Sequence, residues 1–124
     1  MSKTTKGLIS EGVFLQWSAQ TLYQVCKPLE HDLPYDYIAL DQLKCKWIKI
    51  QVKSAYNHGK RKSMEVNFRR GRSNKRSAYT EGDFDYMFIF DQNNNSRYWI
   101  PFMALKHLRS CIIITASKWD KYKI

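Results

Sequence analysis

Two polar side chains, Gln51 and Lys53, break into an apolar strand pattern near its end, and an aspartate, Asp36, follows Pro34-Tyr35 upstream. Strand alternation puts residues i and i+2 on one face. Gln51 and Lys53 therefore point one way, while Ile48, Ile50 and Val52 point the other way, into a core. A preceding strand can carry Asp36 next to them. A carboxylate, an amide and an ammonium group gathered like this suit phosphodiester hydrolysis. That reaction needs a divalent ion to offset phosphate charge and activate water, oxygen ligands to hold the ion, and a cation to orient the water and stabilise the developing charge. Magnesium takes carboxylate, carbonyl and water oxygens in an octahedral set. Asp36 is the carboxylate of such a set, the backbone carbonyl of Val52 a second ligand, and Gln51 a carbonyl donor or a holder of bound water. Lys53 is the orienting cation. Glu11, on the first helix, can reach the same cleft and restore the negative charge that Gln51 lacks. Each residue also has a plain reading: Asp36 as a turn cap, Gln51 and Lys53 as solvated strand residues, Glu11 as a half-exposed helix residue.

The elements that must position these groups are legible in outline. Residues 6–25 read as a helix, with Leu8, Leu15, Ala19 and Leu22 at helical spacing and Glu11 on the same stripe. An inward carboxylate is costly without a partner, which gives Glu11 a reason to face a polar cleft. A short extended segment runs from Gln24 to Pro28. Tyr35 to Leu40 reads as extended, residues 41–45 as a turn, and Lys46 to Ser54 as a cleanly alternating strand. Asn57-His58-Gly59 is a turn, Ser63 to Phe68 a strand, and Gly71 to Ala78 a polar loop. Tyr86 to Phe90 is a buried strand, Asn93-Asn94-Asn95 a turn, and Arg97 to Ile100 a strand. Pro101 starts a short helix through Leu108, and Cys111 to Thr115 is a final strand. A helix, several strands, then a helix and a strand argue for a mixed α/β or α+β domain around one sheet.

With 124 residues, 44% of them hydrophobic, the chain is long enough for one cored domain. Its formal net charge of +10 suits a polyanion. Nucleic acid is the first choice and an anionic membrane the competitor. No apolar run is long enough to span a bilayer, and the N-terminal MSKTTKG has no apolar signal region, so a cytoplasmic location is expected. Cys26, Cys45 and Cys111 are odd in number and lack a CxxC pair, which fits reduced thiols. His31, His58 and His107 have no nucleophile motif around them, and the scattered glycines make no phosphate-cradling loop. The basic charge is uneven. Lys60, Arg61, Lys62, Arg69, Arg70, Arg72, Lys75 and Arg76 crowd one stretch opposed only by Glu65. With Asn74, this segment at about 60–78 is the expected DNA-reading strand and loop. Arginine reads guanine and asparagine reads adenine in the major groove, while Lys60 and Lys62 hold phosphates. Trp119 and Tyr122, among the terminal lysines, are expected to pack onto the domain.

The full series resembles the PD-(D/E)xK nuclease superfamily, in its small branch with glutamine in place of the second acid. The likeness rests on Leu33-Pro34-Tyr35-Asp36, Ile50-Gln51-Val52-Lys53-Ser54-Ala55, Tyr79 with Glu81-Gly82-Asp83-Phe84-Asp85-Tyr86, Tyr98-Trp99-Ile100-Pro101, and Gly7 to Glu11 opening the first helix. It covers roughly residues 6–108 and extends to bacterial intron-encoded homing endonucleases of this fold. The resemblance implies a restriction-endonuclease-like α/β (α+β) core with a central mixed sheet flanked by helices. It also implies Mg2+ dependence, cleavage of double-stranded DNA, and a homodimer or homotetramer that reads a long site. Glu11, Asp36, Gln51 and Lys53 would be the catalytic set, with Asp36, Val52 and Glu11 at the metal. The expected function is thus a site-specific endonuclease of homing or restriction type. A Holliday-junction-type resolvase and a decayed DNA-binding module stay open beside it.

Overall fold

The computed structural model describes residues 2–57, 62–69 and 78–124. Helix α1 spans Lys3–Thr21. It starts before residue 6 because Ser2 caps it: the Ser2 hydroxyl oxygen accepts the Thr5 N–H at 3.1 Å. It stops at Thr21 rather than 25 because β1, Tyr23–Cys26, takes over. Gln24 there adopts a left-handed φ of 48°, and the pairing with the next strand shifts register between Tyr23 and Cys26.

Six further strands follow: β2 Tyr37–Asp41, β3 Lys46–Ser54, β4 Glu65–Asn67, β5 Tyr86–Asp91, β6 Ser96–Pro101 and β7 Cys111–Ile113. The short helix α2, Phe102–Leu105, lies between β6 and β7, and a 3-10 helix, Ser117–Tyr122, follows β7. Pro101 caps α2 as the last residue of β6 rather than occupying its first helical position. Among the described residues five strands form a mixed sheet in the order β1-β2-β3-β5-β6, parallel only between β3 and β5. Strands β4 and β7 pair separately. The expected fold, a mixed central sheet flanked by helices, is the one observed.

The sheet is apolar on both faces. Phe14 and Trp17 of α1 pack with Tyr37, Ala39, Ile48, Ile50, Val52, Phe88 and Phe90. On the other face Met87 and Ile89 meet Val66, Phe68, Tyr79, Phe84, Leu105, Ile112, Ile114 and Trp119. This explains the unbroken apolar run in β5: a central strand covered on both sides does not alternate. The anticipated α1 stripe is corrected. Leu8 is 66% exposed and Leu15 44%, Ala19 is also exposed, and the inward face is Ser10, Phe14, Trp17 and Ser18. The two aromatics bury more area than any leucine there, and the two serines let the helix approach the sheet closely. The strand expected at 63–68 shrinks to Glu65–Asn67, with Val66 and Phe68 committed to the core. The terminal Trp119 is 4% exposed in that same core, as the sequence suggested.

Both hairpins of the main sheet turn in the same way. Asp41 Oδ1 accepts the Leu43 N–H at 2.9 Å, and Asp91 Oδ1 accepts the Asn94 N–H at 3.2 Å. Each turn then closes on a left-handed residue, Cys45 (φ 51°) or Asn95 (φ 50°). Aspartate side chains that mimic a backbone turn explain why β2 and β5 each end on one. The three cysteines are free and exposed. Among the described residues no helix is long and apolar enough to cross a membrane.

Helix α1 is pinned to the end of β3. The Ser54 hydroxyl donates to the Lys6 carbonyl at 3.1 Å, which leaves Ser10 to donate to Ser54 Oγ at 2.5 Å. Ser10→Ala removes the second bond and should lower stability by about 1 kcal/mol, read as a fall in urea midpoint at unchanged slope.

Candidate functional site

The β2–β3 ladder pairs Tyr37 with Ile50. Asp36 lies just before that register, and its N–H donates at 2.8 Å to the carbonyl of the same Ile50. The Asp36 carboxylate turns back on the ladder, and its Oδ2 accepts the Val52 N–H at 2.8 Å. Among the described residues Oδ1 accepts no hydrogen bond.

Asp36 is half-buried, and burial is the main reason its carboxyl is held above the usual carboxylate range. The Val52 N–H opposes that shift. The Glu11 charge adds to it, and Lys53 and Lys27 pull the other way. The charges that act on Asp36 are therefore those of Glu11, Lys53 and Lys27.

Glu11 reaches the cleft from α1, one turn before the buried Phe14. Its Oε1 accepts the Tyr37 hydroxyl at 2.7 Å and the Lys27 ammonium at 3.3 Å. Tyr37, the first residue of β2, packs against Phe14 of α1. Burial, then the Glu11 carboxylate beside it, raise its phenol well above the ordinary value. Tyr37→Phe should cost about 1–2 kcal/mol, the worth of a hydrogen bond to a charged acceptor, measured as a lower thermal midpoint.

Gln51 is 9% exposed, and its amide donates to the Val52 carbonyl at a long 3.4 Å. Lys53, two residues on and on the same face, donates to the Arg69 carbonyl at 3.3 Å, and its ammonium lies 5.7 Å from the Tyr79 ring centroid, a favourable cation–π distance. Tyr79 is held there by ring contacts with Phe68 and Phe84 at 5.2 and 5.1 Å. The turn at residues 81–84 is tied to β3. The Asp85 carboxylate accepts the Lys49 N–H at 2.8 Å, the Lys49 ammonium bonds the Gly82 carbonyl, and Gly82 supplies the φ of +92° that the turn requires.

Asp36 is thus bonded to Val52, between Gln51 and Lys53, and the charges of Glu11 and Lys53 act on its carboxylate. A family model of the PD-(D/E)XK endonucleases matches residues 1–123. The chain belongs to that family. Its fold is also similar to a solved structure described as "The structure of a bacterial homing endonuclease: I-Ssp6803I", with a TM-score of 0.82 and 24% sequence identity over 99% of this chain and 89% of that one. No curated protein matches.

PD-(D/E)XK endonucleases generally use divalent metal ions, and the donor set of this one fits a hard cation. Among the described residues no three His, Cys, Asp or Glu side chains gather as a metal cluster. The candidate donors are the Asp36 and Glu11 carboxylates, the Gln51 amide oxygen and the Val52 carbonyl, an all-oxygen set of the kind that hard divalent cations take. The Val52 carbonyl already takes the Gln51 amide proton, so it offers one remaining lone pair.

Tyr37, Lys27, Ser10 and Ser54 were missed by the sequence reading. A serine on the inner helix face opposite a strand-end serine was the signal for Ser10 and Ser54. Lys27 carried none. Of the basic segment, Lys62 and Arg69 are described. Lys62 is exposed, and Arg69 is partly buried with its carbonyl on Lys53. Lys60, Arg61, Arg70, Arg72, Asn74, Lys75 and Arg76 lie outside the described residues, as do most of the turn at 57–59 and the loop at 71–78. The strand that leads into this segment pairs with β7.

Proposed function

We propose that this endonuclease is a magnesium-dependent, site-specific enzyme of homing or restriction type that hydrolyses double-stranded DNA. The observation that carries the proposal is the Asp36 carboxylate, fixed by the Val52 N–H between Gln51 and Lys53 and acted on by the charges of both Glu11 and Lys53. Asp36 and Glu11 would hold the ion, with the Val52 carbonyl and Gln51 completing its oxygen ligands. The ion supplies Lewis-acid stabilisation and an activated water. The protein's own part is positional. Lys53, steadied over Tyr79, orients the attacking water and offsets charge on the phosphate. Gln51 holds bound water from its buried place in the cleft.

The whole chain acts as one nuclease domain, with the basic segment at about 60–78 as its DNA-reading part. The net charge of +10 supports a polyanionic partner. One such chain covers little DNA, so reading a long site calls for a homodimer or homotetramer, whose symmetry the site would mirror.

The test is digestion of a mixed pool of long duplex DNA with magnesium or with EDTA. Discrete, magnesium-dependent fragments with a common end sequence are expected. Cutting confined to four-way junctions would move the enzyme to the resolvases. Tight duplex binding without cutting of any substrate would mark a decayed scaffold.

A further inference from the structure

Lys27 lies outside every motif, yet its ammonium sits 3.3 Å from Glu11 Oε1 and 5.6 Å from the Tyr37 ring centroid. Pro28, the next residue, biases its backbone toward an extended form. Its charge also reaches Asp36, whose carboxyl it pulls downward. One lysine just past β1 is therefore bonded to Glu11, and its charge extends to Asp36.

The two partners differ in their exposure to water. The Lys27 side chain is 67% exposed and that of Glu11 28%. An exposed lysine leaves such a pair at little cost, while the glutamate stays, kept in place by the Tyr37 hydroxyl at 2.7 Å. Glu11 Oε2 accepts no hydrogen bond among the described residues, so one oxygen is held and the other is open.

We propose that Lys27 is a displaceable counter-ion of the Glu11–Asp36 pair, and that it sets the affinity of the site for a divalent cation by competing for the same negative charge. Lys27 is a positioning residue, not a catalytic one. It offsets part of the pair's charge while the ion is away and yields when the ion arrives. This inference rests on the reading of Asp36 and Glu11 as ion ligands.

The experiment titrates Mn2+ into the DNA-free protein and follows the free-ion electron paramagnetic resonance signal, with calorimetry as a second readout. Lys27→Met removes the charge and keeps the stem, and Lys27→Gln repeats the test should the methionine variant aggregate. Lys27→Met is expected to bind Mn2+ roughly two- to fivefold more tightly, the size of effect an exposed ion pair carries. The gain should shrink as salt is raised, and Lys27→Arg should bind like the parent. Binding seen only in Lys27→Met is the same result at larger amplitude. Equal or weaker binding in Lys27→Met overturns the proposal, as does an absence of binding in both proteins at millimolar ion. Asp36→Ala separates the two levels. If it loses Mn2+ while Lys27→Met is unchanged, only the counter-ion role falls. If it binds like the parent, the ligand reading falls and takes this inference with it.

Discussion

Asp36→Asn should abolish cleavage and, in the absence of metal, make the protein more stable. The loss of activity should be at least about a thousandfold, because the charge stabilisation at stake is several kcal/mol. The gain in stability follows from the raised carboxyl of Asp36. A group whose folded value lies above its unfolded value favours the fold below the ordinary range, here near 3.8. That contribution disappears as pH rises through the raised folded value. At neutral pH the ionised carboxylate is thus better solvated in the unfolded chain, with Glu11 opposing it in the folded one. Asparagine keeps an oxygen for the Val52 N–H and drops the charge. A rise of roughly 2–5 °C in thermal midpoint is expected in EDTA at neutral pH. The advantage should narrow as pH falls toward the carboxylate range. Thermal melts of both proteins across pH check this, and a less stable variant at neutral pH would refute it.

Lys53→Met should separate cutting from binding. The ammonium is placed by the Arg69 carbonyl and the Tyr79 ring, and a methionine stem can still lie on that ring. Only the charge is lost. If Lys53 stabilises the reacting phosphate, single-turnover cleavage should fall about a hundred- to a thousandfold, as when one preorganised donor is removed. Duplex affinity should drop only modestly, with the salt slope smaller by about one unit for one lost phosphate contact. Lys53→Arg should not restore the rate, because a planar, delocalised fork does not supply the compact point charge of an ammonium. Cutting within tenfold of the parent would remove Lys53 from the chemistry.

Much of the frame was readable because it depends on local patterns. Alternation bounded β3 at Lys46 and Ser54, and the unbroken apolar run marked β5 as covered on both faces. The spacing of Gln51 and Lys53 put both on one face, and the Val52 N–H between them holds the Asp36 carboxylate. What was hidden depends on contacts between distant segments. The inner face of α1 is chosen by the sheet beneath it, which takes Phe14 and Trp17 and leaves Leu8 and Leu15 in water. Strand β1 hinges on a left-handed glutamine that no propensity favours. Strand β4 is short because its pairing with β7 spans only Glu65–Asn67. The Tyr37–Glu11–Lys27 group joins a strand, a helix and a strand end, and none of those segments announces the other two.

The one parallel pair in the main sheet has a consequence for how the chain closes. The β2–β3 hairpin needs only the turn at residues 42–45, and hairpins form in about 1–10 μs. Docking β5 beside β3 must wait for residues 55–85 to loop around, and non-local pairing of this kind is slow. The place of Asp36 beside Val52 therefore depends on local pairing, whereas the floor beneath Lys53, built from Tyr79 and Phe84, depends on the non-local one.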